Sequence, residues 1–354
     1  MRLFNVKIYR YFLLLCIVGI LWFGGNCYLN ALEKESVAVS ATDRAQVYAS
    51  GKIIGIYEQT AGVLVVDTAM VKDKENNECF PTKGKLKSGD YINSIDGKDI
   101  CRKEDIVKLV ENSNGKSMLI NFNRGNKVHN VRVTPIMTSE NKYAIGLWVK
   151  DDMAGIGTMT CYDSNGNFIA LGHGIGNGTN GELLSVQNGC IYDMDLSGVT
   201  KGEKGVPGEL SGIIYYGRKT KLGVLNKNCD LGIYGTLEDE ELKEYTSCDT
   251  RYEIAYKKEI KKDRAFILSG ISGRIEKYDI EIMDTNCKAK DENKGIYIKV
   301  TDERLLEKSG GIVQGMSGSP IIQDGRIIGA VTHVLVNDPT RGYGIFIEKM
   351  LENK

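Results

Sequence analysis

The chain has 354 residues, too many for one small core and enough for two domains with appendages. Lys plus Arg and Asp plus Glu stand at 46 each, a balance that excludes the basic footprint of a nucleic-acid-binding protein. Forty-one glycines against five prolines, with abundant Val, Ile and Tyr, favour a turn-rich β protein. None of the nine cysteines forms a C-x-x-C pair, and the three histidines, His129, His173 and His333, lie far apart, so no structural metal site is expected. An odd cysteine count cannot pair fully within one chain, and most of these residues read as free thiols.

Residues 1–10 form a basic segment with Arg2, Lys7 and Arg10, and residues 11–32 carry no charge. About 20 apolar residues span a bilayer as a helix, so a membrane anchor is predicted, its basic flank in the cytoplasm. A secretory signal cut in the small-residue stretch 37–41 is the alternative; both put the bulk of the chain outside the cytoplasm. Residues 33–50 are polar and mixed, a linker or pro-segment open to proteolysis.

Residues 51–138 make one α+β unit. Val63-Leu64-Val65-Val66 reads as a strand, and the alternation from Tyr91 to Ile100 gives two short strands joined at Asp96-Gly97. Residues 103–112 form a helix with Ile106, Val107, Leu109 and Val110 on its buried side, and residues 118–122 and 128–133 a closing hairpin. The run S-G-D-x-I-x-x-I-D-G-x-x-I at 88–100 resembles a PDZ domain of the bacterial protease-associated kind. The resemblance implies peptide capture by strand addition, with a carboxylate-binding loop at Ala61, Gly62 and Val63.

Residues 139–354 show many short strands between Gly- and Asn-rich turns, which suits a mainly β fold: a trypsin-like pair of small antiparallel barrels, or one large sandwich. Near the end, Gly315-Met316-Ser317-Gly318-Ser319-Pro320 sets a serine between glycines on a tight turn before the apolar Ile321-Ile322. A serine hydroxyl is a poor nucleophile and needs an exposed bend with small neighbours, and such a turn also aims backbone N–H groups at one spot. Ser319 is a rival nucleophile, restricted by Pro320. For the base, His173 stands between glycines at the end of an apolar strand, Ala170-Leu171-Gly172-His173-Gly174, with room to meet a substrate. His129 lies in the PDZ hairpin, and His333 follows Ala330-Val331-Thr332 as a strand residue.

The Ala170–Gly174 segment and the block from Gly310 to Gln323, continuing through residues 329–334 to Gly342-Tyr343-Gly344, resemble the stage IV sporulation protein B (SpoIVB) peptidases. That resemblance implies a serine endopeptidase without cofactor: His173 as base, Asp302 as acid, Ser317 as nucleophile, and the N–H groups of Gly315 and Ser317 as oxyanion hole. It further implies a forespore protein of the intermembrane space that cuts itself near its N-terminus. It then cuts a membrane-bound regulator of an intramembrane protease, triggering late sigma-factor activation. A membrane-tethered PDZ-type scaffold with an inactive peptidase fold is the competing reading.

Overall fold

The computed structural model describes residues 44–352 apart from 126, 177–182 and 184–185. The predicted anchor at 11–32 and most of the linker at 33–50 lie outside the described residues. Contacts divide the chain into Met1–Ala45 and Gln46–Lys354, and the architecture below belongs to the second unit. No helix among the described residues is long and apolar enough to cross a membrane.

Val, Ile and aromatic residues at every second position form antiparallel strands that close into two barrels, and closure removes the unpaired edges a sheet of this size would expose. In the first barrel, Ile53–Thr68 pairs with Leu147–Tyr162, which pairs with Asn167–Ala170. Gly232–Leu237, Lys221–Cys229 and Val186–Tyr192 follow in turn, and the last returns to Ile53–Thr68. Its interior holds Ile54, Ile56, Met159, Phe168, Ile191, Leu225 and Ile233. The second barrel runs Arg264–Ser269, Glu276–Thr285, Ile296–Val300, Asp338–Phe346, Arg326–Leu335 and Pro320–Gln323, and closes on Arg264–Ser269. Ile267, Tyr278, Ile280, Ile298, Ile321 and Val331 fill it.

Both barrels use one connectivity: numbered along the chain, the six strands of each lie in the order 1-2-3-6-5-4. A shared apolar layer with Cys161, Ile169, Tyr234, Leu268, Ile322 and Ile345 joins them. Gln46–Ala49 ties the layer together: it pairs with Leu147–Tyr162 and with Arg251–Ile254, and the latter runs parallel to Arg326–Leu335. The fold is therefore the mainly β double barrel that the sequence predicts, and the single sandwich is ruled out.

The PDZ-like unit is arranged differently from the sequence expectation of a separate domain at 51–138. Residues 53–60 are the first strand of the first barrel, and the chain enters the PDZ-like unit and leaves it along one continuous strand pair, Ile53–Thr68 with Leu147–Tyr162. The unit is thus an insertion in the first hairpin of the barrel. Its own core is Val63, Val65, Ile92, Ile95, Ile106, Val110, Ile120 and Phe122. The helix spans Lys103–Asn112, and the Asp96-Gly97 turn has the two positive φ angles that a tight hairpin demands.

Ala61, Gly62 and Val63, expected as a ligand loop, lie inside that continuous strand. Val63 pairs with Ile92 and Leu64 with Tyr91 on one side, while Leu64, Val65, Asp67 and Thr68 pair with Lys150, Val149, Trp148 and Leu147 on the other. The edge that a peptide would use for strand addition is already filled by the chain's own residues 147–150.

Asp90 is fully buried in this unit and accepts Arg124 Nε and Nη2 at 2.7 Å each, with Lys87 N at 2.9 Å. Removing one partner of a buried bidentate pair leaves an uncompensated charge. Arg124→Ala is expected to destabilise the protein by roughly 3 kcal/mol in urea denaturation, with partial recovery in Arg124→Ala/Asp90→Asn. A loss below about 0.5 kcal/mol, the range of ordinary surface substitutions, would contradict this account.

Candidate active site

The turn at Gly315–Pro320 is shaped by hydrogen bonds from the first barrel. Thr158 N donates to Ser317 O at 2.9 Å, Thr158 Oγ1 to Gly315 O at 2.7 Å and Thr160 Oγ1 to Gly318 O at 2.8 Å. Gly318 N donates to Val331 O at 2.7 Å. The carbonyls of the turn are therefore drawn toward the protein, while the N–H groups of Gly315 and Ser317 have no acceptor among the described residues. Gly318 has φ +97°, and a Cβ there would fall 1.9 Å from Thr158 O and 2.6 Å from Leu171 N, so only glycine fits. Ser317 Oγ donates to Thr332 O at 2.7 Å and lines the cavity. Ser319 is fully buried beneath the turn and is not part of the cavity wall.

His173 follows Asn167–Ala170 directly. Leu171 and Gly172 both take left-handed backbone angles, φ 70° and 71°, and swing the chain off the barrel so that the imidazole enters the cavity. A leucine at positive φ is strained, and such strain gathers at functional sites. His173 Nδ1 lies 2.9 Å from Gly174 O, which assigns the proton to Nδ1 and leaves the Nε2 lone pair for chemistry. Burial lowers the pKa of His173 below its ordinary value, against a smaller opposing effect of that carbonyl, so the ring is neutral at pH 7. Asn228 holds the following loop with its amide, accepting from Ile175 N at 2.8 Å and donating to Ile175 O at 2.9 Å. His333 sits on Arg326–Leu335 with its ring centroid 5.3 Å from that of His173, and burial first, then His173, lowers its pKa.

His173 and Ser317 occupy the equivalent connection, third strand to fourth, of their respective barrels. They meet at a cavity of about 440 Å³ whose wall also includes Ile156, Gly315, Thr332 and His333. Asp302 begins the same connection that Ser317 ends, yet it is not in the cavity wall. It caps Glu303–Ser309 by accepting from Arg304 N at 3.0 Å, accepts from Arg304 Nη2 at 2.9 Å and from Asp279 N at 3.2 Å. Burial alone would raise its pKa, but these bonds and the Arg304 charge leave it lowered. No carboxylate among the described residues hydrogen-bonds His173; the Gly174 carbonyl stands in that place. No group of three or more metal-ligating side chains occurs among the described residues.

The sequence did not single out Glu58, although it extends the inward series Ile54, Ile56, Glu58 of the first strand. A charged residue in phase with two isoleucines is the signal that marks it. Glu58 is fully buried, lines the cavity, and neither carboxylate oxygen has a hydrogen-bond partner among the described residues. Burial pushes its pKa up to about 7. The folded value is above the unfolded one, so the destabilisation is absent below about pH 4, grows with pH and is complete above about pH 7. Glu58→Gln is expected to raise stability by roughly 3 kcal/mol at pH 8 and by little at pH 4.5, read from thermal melts. Equal effects at both pH values would contradict an unpaired buried carboxylate.

Residues 141–351 match the SpoIVB peptidase S55 family. Among solved structures, the PDZ domain of an SdrC-like protein from Listeria monocytogenes is 24% identical with a TM-score of 0.22, covering 26% of this chain and 90% of that one. The Rv3671c protease of M. tuberculosis in its inactive form is 11% identical with a TM-score of 0.32, covering 56% of this chain and 81% of that one. The HtrA-type protease AlgW with a decapeptide is 10% identical with a TM-score of 0.33, covering 86% and 64%. No curated protein matches the chain. With the family match spanning more than half of its length, the chain belongs to the SpoIVB peptidase S55 family.

Proposed function

We propose that the protein is a serine endopeptidase with Ser317 as nucleophile and His173 as general base. The observation that carries this reading is the convergence of these two side chains, from equivalent connections of the two barrels, on one cavity beside two free backbone N–H groups. Ser317 Oγ leaves Thr332 O, gives its proton to His173 Nε2 and attacks the scissile carbonyl carbon. The N–H groups of Gly315 and Ser317 receive the oxyanion. The imidazolium returns its proton to the departing amine, leaving an acyl-serine ester. Water, deprotonated by His173, then attacks the ester and frees Ser317. Throughout, the Gly174 carbonyl holds the Nδ1 proton and favours the imidazolium.

Asp302 is assigned a positioning role. It fixes the start of Glu303–Ser309, whose left-handed end at Gly310 opens the run to the nucleophile. That run is stitched on its other side by Gly202 N to Ser309 O at 2.8 Å and Leu210 N to Gln314 O at 2.9 Å. The physiological action proposed is the family's: a chain exported toward the space between forespore and mother cell, held by or released from the membrane at residues 11–32. It cuts itself within residues 33–50 and then a membrane-bound regulator. The scaffold alternative finds less support, because residues 147–150 occupy the strand edge that peptide capture needs.

In the full-length chain, cleavage between Glu33 and Ser50 is expected to vanish in Ser317→Ala and His173→Ala, losses of at least about 10³-fold. His333→Ala keeps it. Asp302→Asn is expected to lower kcat/KM less than about tenfold, whereas a triad aspartate would lower it by about 10⁴. Identical banding in wild type and Ser317→Ala would end the enzymatic reading. Because His173 stays neutral below its ordinary range, the acid limb of kcat/KM is expected to have its midpoint below about pH 6.5. A midpoint above pH 7 would contradict His173 as the base.

A further inference from the structure

We propose that Glu58 is a specificity-determining residue whose carboxylate receives a lysine or arginine side chain of the substrate next to the scissile bond. The proposal rests on the serine peptidase reading and deepens it. Glu58 lies on the first barrel strand with Met153 and Gly189 opposite it, and it lines the cavity that also presents Ser317 and His173. It is fully buried, and both oxygens lack a donor among the described residues. A buried polar group without a partner is rare in proteins, and a buried carboxylate more so.

No described residue of the cavity wall supplies the missing cation. Among the described residues, the cavity wall contains no lysine or arginine. His173 does not take the role, since its Nδ1 faces Gly174 O and it shares no hydrogen bond with Glu58. The cavity wall that holds Glu58 also presents the apolar side chains of Ile56, Met153, Ala154 and Ile156. Such a wall suits the aliphatic stem of a long basic side chain whose head requires a charged acceptor. A largely apolar cavity wall with one carboxylate in it is complementary to an ammonium or guanidinium group, and charge-assisted bonds of this kind are the strong ones.

The test is a set of peptides with Lys, Arg or norleucine on either side of the scissile bond, assayed with wild type, Glu58→Gln and Glu58→Asp. The wild type is expected to favour Lys or Arg over norleucine by about 10²-fold in kcat/KM, the effect of leaving one member of a buried charge pair alone. Glu58→Gln brings that ratio to about one or reverses it, and Glu58→Asp keeps part of it. An unchanged ratio, or a loss shared by all peptides and confined to kcat, overturns the assignment; the second result would mark Glu58 as a partner of His173. If Glu58→Gln does not fold, the wild type decides: butylguanidine inhibits competitively and the isosteric, neutral butylurea does not. Equal inhibition by the two overturns the proposal. Labelling by a fluorophosphonate keeps the two readings apart. Ser317 labelling without a basic preference sinks only the Glu58 assignment, whereas a wild type that neither labels nor cuts sinks the peptidase reading with it.

Discussion

The pairing of Ile53–Thr68 with Leu147–Tyr162 is the constraint on which the rest of the structure depends. One half of this strand pair closes the first barrel, and the other half carries the PDZ-like unit. Thr158 and Thr160, on the second strand, supply the hydrogen bonds that turn the carbonyls of Gly315, Ser317 and Gly318 inward. Because side chains alternate across a strand, a slip of one residue would send Ile54, Ile56 and Glu58 outward and withdraw the Thr158 contacts together. The barrel interior, the nucleophile turn and the cavity wall are thus set by a single register. The insertion enters and leaves through that same pair, so its attachment needs no separate linker.

Several costly features lie close together around the cavity. Leu171 is held at positive φ, Glu58 is buried without a partner, and the rings of His173 and His333 lie close together with both pKa values depressed. The buried charge of the PDZ-like unit, Asp90, is by contrast satisfied by a bidentate guanidinium and a backbone N–H. A strained leucine and a buried carboxylate at one cavity are features common at sites prepared for a ligand.

Much of this was legible in the sequence, and what was not has identifiable causes. Period-2 alternation and Gly-rich turns gave the β class and the barrels, and the helix at Lys103–Asn112 follows from its 3.6-residue apolar period. The glycines around Ser317 and His173 pointed to both residues because each needs a backbone that other residues resist. Long-range pairing was hidden: nothing local shows that residues 53–60 close a barrel with residues 147–162 and 186–192, so the insertion was read as a separate domain. For the same reason Ala61, Gly62 and Val63 looked like a free loop, while their strand is covered by residues 147–150. Asp302 matches the family pattern, but a helix cap and a catalytic acid carry the same residue type, and only its bonds to Arg304 and Asp279 show what it touches. Glu58 and Asn228 act across the fold and leave only a phase signal or none.

The central claim, that Ser317 and His173 form one acyl-transfer centre at the meeting of the barrels, is tested most directly by a crystal structure of the protein after reaction with a peptidyl phosphonate. The account predicts a covalent bond to Ser317 Oγ, with the phosphonyl oxygen on the N–H groups of Gly315 and Ser317 and the His173 ring turned toward the adduct. A bond to Ser319, or an adduct on Ser317 with His333 in place of His173, would contradict it.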